Sequence, residues 1–270
     1  MTLEVLVATM WQKDPTHHQK MNLQCNTVIA NQCDMWDYQE EEYEYGRVRM
    51  ISTVTRGVGL NRNIAMMVAD ADILLFADDD MTYSDGKLNG VKQAFDDLPD
   101  ADVIIFSVDL TKKGEVFDNR HLPIHKMHLW NALKYGTYAV AIRKHAVLSK
   151  NLSFTQLFGG GCIYGAGEDS LFIRDCFKAG LKVYSHSYVL GKCAKDSSSW
   201  FTGFNEKYLY DKGAWIACAF PESKHLIKWY FIRKFAKRSG FSLAKTAKLV
   251  NRGIAGFKTL ATYDSIKDSI

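Results

Sequence analysis

A short apolar run that ends in three carboxylates is the feature that most limits how this chain can fold. Residues 72–81 read Asp-Ile-Leu-Leu-Phe-Ala-Asp-Asp-Asp-Met, so a stretch of strand length and composition leads directly into Asp78, Asp79 and Asp80. Unpaired carboxylates are too costly to bury, and this end of the strand must therefore reach solvent or a cation. In an open α/β sheet the carboxyl ends of the strands are where ligands bind.

Strand and helix patterns alternate on both sides of this run. Further buried strands are predicted at 3–8, 27–30, 48–52, 103–108 and 138–142. Helices are predicted at about 17–24, 60–69, 87–98 and 168–179. The alternation predicts an α/β fold with a mostly parallel sheet flanked by helices. Residues 111–130 are polar and rich in His and Lys, and we expect a long irregular loop there with a functional role.

Charge is unevenly distributed along the chain. The net charge is +4, yet residues 221–270 carry 11 Lys/Arg against 3 Asp/Glu, while residues 1–220 carry 23 against 27. We therefore predict a main α/β domain at 1–220 and a basic, amphipathic helical segment at 221–270. The acidic main domain argues against a nucleic-acid partner, because binding to the phosphate backbone needs a positive docking surface.

Cysteine usage and the start of the sequence bear on location. The six cysteines are scattered and form no Cys-x-x-Cys pair, which predicts reduced thiols in a cytosolic protein. The sequence opens on a strand pattern instead of a signal peptide, and no apolar run approaches the roughly 18–20 residues that span a bilayer. We expect a cytoplasmic protein, with peripheral association at the inner face of the plasma membrane as an extension of that prediction.

A glycine-dense loop precedes a second pair of carboxylates. Residues 159–167 contain five glycines and lead to Glu168 and Asp169 at the start of a predicted helix. The helix dipole favours a carboxylate in the first turn, so N-terminal capping is one explanation of the pair. The number of glycines exceeds what a cap requires, which favours a functional role.

Three separated motifs together resemble a known enzyme family. They are Gly-Leu-Asn-Arg-Asn-Ile-Ala at 59–65, the three aspartates at 78–80, and Gly-Glu-Asp at 167–169. In this order and spacing they are similar to the signature of inverting, family 2 glycosyltransferases with the GT-A fold. A later run at 198–208 resembles bacterial members that build surface polysaccharides. The resemblance covers about residues 3–215 and implies a Rossmann-like GT-A sheet.

The resemblance implies a nucleotide-sugar donor bound together with Mn²⁺ or Mg²⁺. Asp80 stands at the metal-ligand position of the family's Asp-x-Asp motif, and Asp78 stands at its first position, which contacts ribose or reaches the metal through water. Asp79 lies between them and either contributes to the nucleotide site or only shapes the turn. A divalent cation offsets the negative charge that grows on the leaving diphosphate. A solvated acidic turn is the alternative, which repulsion among adjacent carboxylates disfavours.

A third protein ligand for the metal departs from the family pattern. Relatives often place a histidine after the strand that follows the Glu-Asp helix, whereas here Lys192 or Cys193 holds that place and His186 is a substitute. The loop histidines His121, His125 and His128 suit no common metal motif, and we interpret them as solvated or as facing the acceptor.

The resemblance implies that Asp169 is the general base for the acceptor hydroxyl, with Glu168 binding or orienting the acceptor. The two roles can also be exchanged. The implied acceptor is a growing glycan or a lipid-diphosphate-linked oligosaccharide.

Nucleotide recognition is implied at the first strand ends. Thr9 matches a family residue near the base and ribose. The second strand of the family usually ends in an Asp that reads uracil, and the candidates here are Asn31 and Gln32. Arg56 and Arg62 flank the Gly57-Gly59 loop, and either can reach base or diphosphate, with a surface ion pair as the alternative for Arg62. The expected donor is a UDP-sugar.

Two aromatic features have two interpretations each. Residues 224–238 mix aromatic and basic side chains at near-helical spacing, which suits an anionic membrane surface; packing of the aromatic side on the catalytic domain is the alternative, and the two are compatible. Trp200 covers the donor or acceptor pocket, or it anchors its loop.

Two rival functions share some of these features. A sugar-phosphate nucleotidyltransferase has a similar sheet and acidic metal site, but it needs a Gly-rich, basic phosphate loop directly after the first strand, where this chain has Thr-Met-Trp-Gln. A catalytically inactive glycan-binding or assembly protein is the second rival, and intact acidic motifs argue against it.

Overall fold

The computed structural model describes residues 1–118, 121–194 and 203–267. Trp200, with the 198–201 part of the later motif, lies outside the described residues. The chain divides into two compact units, of which the first contains Met1–Thr155 and Asp169–Ser197 and the second contains Gln156–Glu168 and Ser198–Ile270. The predicted domain boundary at residue 220 stays a prediction.

The first unit is built on one mixed sheet. In chain order its strands are β1 (Leu3–Met10), β2 (Thr27–Gln32), β3 (Asp37–Tyr43), β4 (Gly46–Thr53), β5 (Ile73–Asp78), β6 (Met81–Tyr83), β7 (Val103–Lys112), β8 (Glu115–Asp118), β9 (His125–Lys126), β10 (Val140–Arg143) and β11 (Val183–Ala194). Their order in space is β3-β4-β2-β1-β5-β10-β7-β11-β6, with β8 on β7 and β9 on β11. The pairs β1–β2, β1–β5, β2–β4 and β7–β11 are parallel, and β10 is antiparallel to both neighbours. The predicted α/β class with its flanked sheet is confirmed.

Helices cover both faces of this sheet. They are α1 (His17–Lys20), α2 (Val58–Val68), α3 (Asn89–Asp97), α4 (Leu129–Ala132), α5 (Lys144–Leu148) and α6 (Glu168–Lys178), with a 3₁₀ turn at Thr137–Ala139. On one face Met66 of α2 and Phe172 of α6 pack in a cluster with Phe76. On the other face Phe95 of α3 packs in a cluster with Val7. Because β1 and β5 are buried on both faces, they read as continuous apolar runs, and polar side chains appear only where these strands end.

Two strands lie in the segment predicted to be an irregular loop, so that prediction is wrong for this part of the chain. β7 continues to Lys112 and turns through Lys113 and Gly114 into β8. Both turn residues have positive φ, 51° and 79°, which is the backbone of a tight two-residue hairpin. β9 pairs with β11, so this segment extends the sheet.

The second unit is helical. Its helices are α7 (Glu206–Ala219), α8 (Lys224–Ser239), α9 (Leu243–Gly256) and α10 (Tyr263–Ile266). Leu209 of α7, Phe235 of α8 and Leu249 of α9 form its core. The backbones of α7 and α9 approach so closely that a Cβ at Gly253 would clash with the Tyr210 carbonyl oxygen. The predicted helical C-terminal segment is confirmed. Among the described residues, no helix is long and apolar enough to cross a bilayer.

Candidate functional site

Thr9 and Asp79 meet where β1 and β5 end side by side. The Thr9 hydroxyl donates a hydrogen bond of 2.7 Å to Asp79 Oδ2, and Gln12 Nε2 donates to Thr9 Oγ1 at 3.1 Å. Asp79 itself is exposed. The central aspartate of the motif therefore connects two strand ends that the resemblance assigns to the nucleotide. Its part in nucleotide binding stays a prediction.

Arg62 connects the two acidic motifs. Its side chain is only 4% exposed, its Nη2 donates to Asp78 Oδ1 at 2.7 Å, and its Nη1 donates to Asp169 Oδ1 at 2.8 Å. Thr137 Oγ1 donates to the same Asp169 oxygen at 2.7 Å. Arg62 thus makes ion pairs, which is the alternative considered for it, but from a buried side chain. Its contact with the base or diphosphate stays a prediction. One guanidinium thus holds a carboxylate of the metal motif and the predicted base within a single fork.

The asparagines on either side of Arg62 fix the position of α2. Asn61 Nδ2 donates to the carbonyl oxygens of Thr9 and Ala30 at 3.2 and 2.7 Å, so it joins the ends of β1 and β2. Asn63 exchanges two hydrogen bonds with the backbone of Phe154, at 2.9 and 2.7 Å. The Asn-Arg-Asn motif therefore anchors a helix at two places and aims the guanidinium between them.

Asp80 lies against β11. Cys193 Sγ donates to Asp80 Oδ1 at 3.2 Å, and the Ala194 amide donates to the Asp80 carbonyl oxygen at 3.1 Å. Of the two residues considered for the third ligand position, Cys193 is the one placed at Asp80. The His186 substitute accepts a hydrogen bond from the Tyr188 amide through Nδ1, and its ring lies beside Phe106.

The acidic turn fits a divalent cation only together with a substrate. No three His, Cys, Asp or Glu side chains among the described residues form a group that could hold a metal. Mg²⁺ is usually bound by one or two carboxylates with substrate phosphates instead of a complete protein cage. Asp78 and Asp80 supply two carboxylates, so the donor set suits a cation that arrives with a nucleoside diphosphate.

Asn31 and Gln32 are turned into the protein. Asn31 is fully buried; its Nδ2 donates to Gln12 O and Ser52 Oγ, both at 2.9 Å, and its Oδ1 accepts from the Gln12 amide at 3.0 Å. Gln32 is 5% exposed, and its Oε1 accepts from the Gly57 amide at 2.9 Å. These bonds shape the strand ends and the start of α2, and base reading by these two residues stays a prediction.

Trp11 is a candidate that the sequence did not single out. It is 57% exposed, it adopts a left-handed backbone with φ 61°, and the Arg56 guanidinium lies 5.2 Å from its ring centre. Arg56 is in turn held by Asp34 at 2.6 Å. An exposed indole beside Thr9 offers a stacking surface for a planar base. The sequence feature that could have identified Trp11 is a bulky aromatic residue at the end of a strand, where small polar residues are more common.

A cavity of about 310 Å³ opens near Asp169. It is lined by Phe106, Ser107, Val108, Leu110, Asp118, His121, Leu122, Lys134, Tyr135, Gly136, Tyr138 and Ala139. A Cβ built on the lining residue Gly136 would lie 3.4 Å from Asp169 Oδ2. The volume lies in the range of small-molecule sites, and its tyrosine, histidine and lysine groups suit a polyhydroxylated ligand. Three of these residues, Asp118, His121 and Leu122, come from the segment predicted to carry a functional loop.

The glycine loop is held within the second unit. The Gly165 amide donates to Asp211 Oδ2 at 2.9 Å. Gly167 has φ 129°, and a Cβ there would clash with the Trp215 ring. Glu168 is buried, and its Oε2 accepts from the Gly167 amide at 3.1 Å. The glycines thus permit a tight approach to α7, which delivers Glu168 to the start of α6.

A half-buried lysine, Lys212, lies near Glu168 in this unit. The Lys212 ammonium lies 5.3 and 5.4 Å from the ring centres of Tyr208 and Trp215. Burial lowers the pKa of Lys212 to about 8, against the opposing effect of the Glu168 and Asp211 carboxylates. The electrostatic surroundings of Glu168 therefore change with the charge of Lys212.

Lys212 should leave a signature in the pH dependence of stability. Between about pH 8 and 10 Lys212 has lost its proton in the native chain and keeps it in the unfolded chain, so this one group contributes a rise in the free energy of unfolding with pH. The thiols of Cys25, Cys162 and Cys176, whose pKa values burial raises, contribute a fall in the same window. From pH 8 to 9.5 the contribution of Lys212 is about 1.5 kcal/mol. Lys212→Met should lack this contribution, so its stability relative to the parent should change by that amount in urea unfolding at pH 7.5, 8.5 and 9.5. The exposed control Lys258→Met should keep it, and equal profiles for Lys212→Met and the parent would contradict the expectation.

Known proteins support the fold and the family resemblance. Residues 34–153 match the family model for Glycosyl transferase family 2. The crystal structure of S. aureus TarS 1-349 in complex with UDP-GlcNAc matches with a TM-score of 0.60 at 12% identity, covering 98% of this chain and 75% of that chain. The same protein in complex with UDP matches with 0.60 at 13%, covering 100% and 75%. A longer S. aureus TarS structure gives 0.58 at 15%, covering 87% and 44%.

A search of curated proteins gave no significant match. The family model bears out the resemblance over residues 34–153, and the solved structures bear out the GT-A-like fold. The matched segment contains Arg62 and the three aspartates and ends before Asp169. The assignment of a base therefore depends on the contacts of this chain.

Proposed function

We propose that this chain, which contains a glycosyltransferase family 2 segment, is a metal-dependent inverting enzyme that transfers one sugar from a nucleotide-sugar to a glycan or lipid-linked acceptor in polysaccharide biosynthesis. The observation that carries the proposal is the Arg62 fork, which joins Asp78 at 2.7 Å and Asp169 at 2.8 Å. An inverting transfer needs a stabilised leaving group and a general base on opposite sides of one anomeric carbon. Two carboxylates spaced by a single guanidinium meet that need.

The donor is a UDP-sugar in this proposal. The relative TarS has been crystallised with UDP and with UDP-GlcNAc, which supports uracil as the base. In this chain Trp11 and Arg56 provide a stacking surface, and Thr9 with Asp79 provides oxygens for the ribose. Arg62 contributes positive charge beside the diphosphate. Asn31 and Gln32 support these groups from behind through their internal hydrogen bonds.

Asp80 and Asp78 would hold Mn²⁺ or Mg²⁺ in this site. The cation supplies Lewis-acid stabilisation of the leaving diphosphate. The protein contributes the carboxylate pair and holds Asp80 in place through Cys193 and the Ala194 amide.

Asp169 acts as the base on the acceptor. The acceptor hydroxyl oxygen forms a bond to the anomeric carbon, its proton passes to an Asp169 oxygen, and the bond from the anomeric carbon to the diphosphate oxygen breaks, releasing the nucleoside diphosphate. Arg62 and Thr137 fix the orientation of the carboxylate. The acceptor sugar occupies the 310 Å³ cavity beside Gly136, and Glu168 orients it. The enzyme works in the cytoplasm, at the inner membrane surface where a lipid-diphosphate-linked acceptor is available.

Donor hydrolysis tests this function without knowledge of the acceptor. A panel of nucleotide-sugars with and without Mn²⁺ should give release of UDP from at least one UDP-sugar, and Asp80→Ala should lower the Mn²⁺-dependent rate by about 10²-fold or more because Lewis-acid stabilisation is worth several kcal/mol. Asp85→Ala, at an exposed carboxylate five residues away, is the matched control and should retain activity.

Two results would overturn the proposal. One is that no donor in the panel is turned over, which would favour an inactive glycan-binding protein. The other is that Asp80→Ala hydrolyses the preferred donor as fast as Asp85→Ala.

A further inference from the structure

One face of α8 exposes large apolar side chains. Leu226, Trp229 and Tyr230 are 79%, 52% and 61% exposed. Arg233 and Lys237 are also exposed, and the five residues follow the i, i+3, i+4, i+7, i+11 spacing of a single helix face. We call these five residues the α8 outer face. Three adjacent apolar residues on one exposed face are more than the scattered exposure that is ordinary for a soluble surface.

The opposite side of α8 supplies the packing that folds the unit. Ile232, Phe235 and Ala236 are buried, and the Phe231 and Phe235 rings stack at 5.7 Å. The aromatic residues of this segment therefore fall into two groups. One group packs inside the second unit, as one interpretation of the sequence expected. The outer group is mostly exposed, with the Tyr230 ring edge-on to Phe231 at 5.1 Å.

The charged residues of α8 are all basic. Lys224–Ser239 contains six Lys/Arg and no Asp/Glu, and residues 221–270 together have a charge of +8. Lys228 lies 5.4 Å from the Trp229 ring centre, and Lys234 lies 5.6 Å from that of Tyr230. Cations thus flank both outer aromatic rings. This charge favours an anionic occupant and opposes the pairing of two copies through the same face.

We propose that the α8 outer face docks on an anionic phospholipid surface. Leu226, Trp229 and Tyr230 enter the boundary between headgroups and acyl chains, where amphipathic aromatic rings are favoured, while Arg233 and Lys237 contact lipid phosphates. This proposal names the residues that would place the enzyme at the membrane. Only the biological purpose of membrane binding rests on the proposed function; the binding itself does not. A nucleic acid would use the charges but would leave Leu226 in water.

Sedimentation of the full chain with vesicles tests the surface. Vesicles of phosphatidylglycerol and phosphatidylcholine should bind the chain at least tenfold more tightly than vesicles of phosphatidylcholine alone, and added salt should weaken the binding. Leu226→Ser/Trp229→Ser should lower the affinity for anionic vesicles at least tenfold. Leu243→Ser/Trp130→Ser, which removes a Leu and a Trp that are each 58% exposed elsewhere, should bind like the parent.

Three results would contradict the proposal that the α8 outer face binds anionic lipid. The first is equal affinity of the two double variants for anionic vesicles. The second is tighter binding of the parent to single-stranded DNA than to the vesicles. The third is self-association of the parent that Leu226→Ser/Trp229→Ser removes. Because donor hydrolysis without vesicles should be unchanged in this variant, loss of vesicle binding and loss of the proposed activity are separate outcomes.

Discussion

Asp169→Asn should lower the rate of sugar transfer by about 10²–10⁴-fold while the affinity for UDP stays within about twofold. Asparagine has the shape of aspartate and keeps an oxygen to accept hydrogen bonds from Arg62 and Thr137, which reach Asp169 Oδ1 at 2.8 and 2.7 Å. It cannot take the proton of the acceptor hydroxyl. The transfer rate would be measured with an acceptor that the parent enzyme glycosylates. The affinity for UDP would be measured separately by calorimetry.

Glu168→Gln tests whether Asp169 or Glu168 is the general base, with the other residue orienting the acceptor. If Asp169 is the base, Glu168→Gln should change the acceptor KM more than kcat. A greater fall in kcat for Glu168→Gln than for Asp169→Asn would mean that the roles are exchanged. Asp175→Asn, on the same helix but paired with Arg174 at 2.6 Å, is the control and should transfer sugar like the parent.

Arg62→Met should lower both stability and activity. It leaves two carboxylates without their shared cation, and removal of one partner of a buried pair typically costs 3–5 kcal/mol. Asp78 and Asp169 are 30% and 29% exposed and can regain some hydration, so we expect a loss of about 2–4 kcal/mol in the free energy of unfolding. Arg62→Lys should recover little transfer, because an ammonium lacks the fork that reaches both carboxylates.

Arg47→Met is the matched control for stability. Arg47 also contacts two acids, Asp70 at 2.7 Å and Glu40 at 3.6 Å, but its side chain is 36% exposed, and we expect a loss of at most about 1 kcal/mol. Arg62→Met/Asp169→Asn should be less destabilised than the sum of its single variants, because both remove the same contact. Equal stability of Arg62→Met and Arg47→Met, measured by urea unfolding, would contradict the role given to Arg62.

The central strands were predictable because their burial on both faces leaves a continuous apolar run. The edge strand Asp37–Tyr43 was not, since four of its seven residues are acidic and nothing local separates it from a solvated loop. Its side chains are mostly exposed on the open edge of the sheet, where charge is common in strands. The hairpin after Lys112 had a signal in Lys113-Gly114, which the polarity of the segment obscured.

The acidic motifs were predictable from spacing, but their connection was not. Arg62 and Asp169 are 107 residues apart, and an arginine on a polar helix turn gives no local sign that it will be buried. Asn31 shows the converse, because a polar residue at a strand end suggests a ligand contact, whereas its amide is bonded to Gln12 and Ser52. Such assignments depend on which distant groups reach the side chain.

Under the proposed function, the guanidinium shared by Asp78 and Asp169 would couple donor binding to acceptor binding. If a bound donor changes how Arg62 holds Asp169, the acceptor changes donor affinity by the same factor. Substitutions made on the donor side to change sugar preference should therefore also alter how well the acceptor is bound. An engineer who wants a new donor from this scaffold would have to select donor and acceptor variants together.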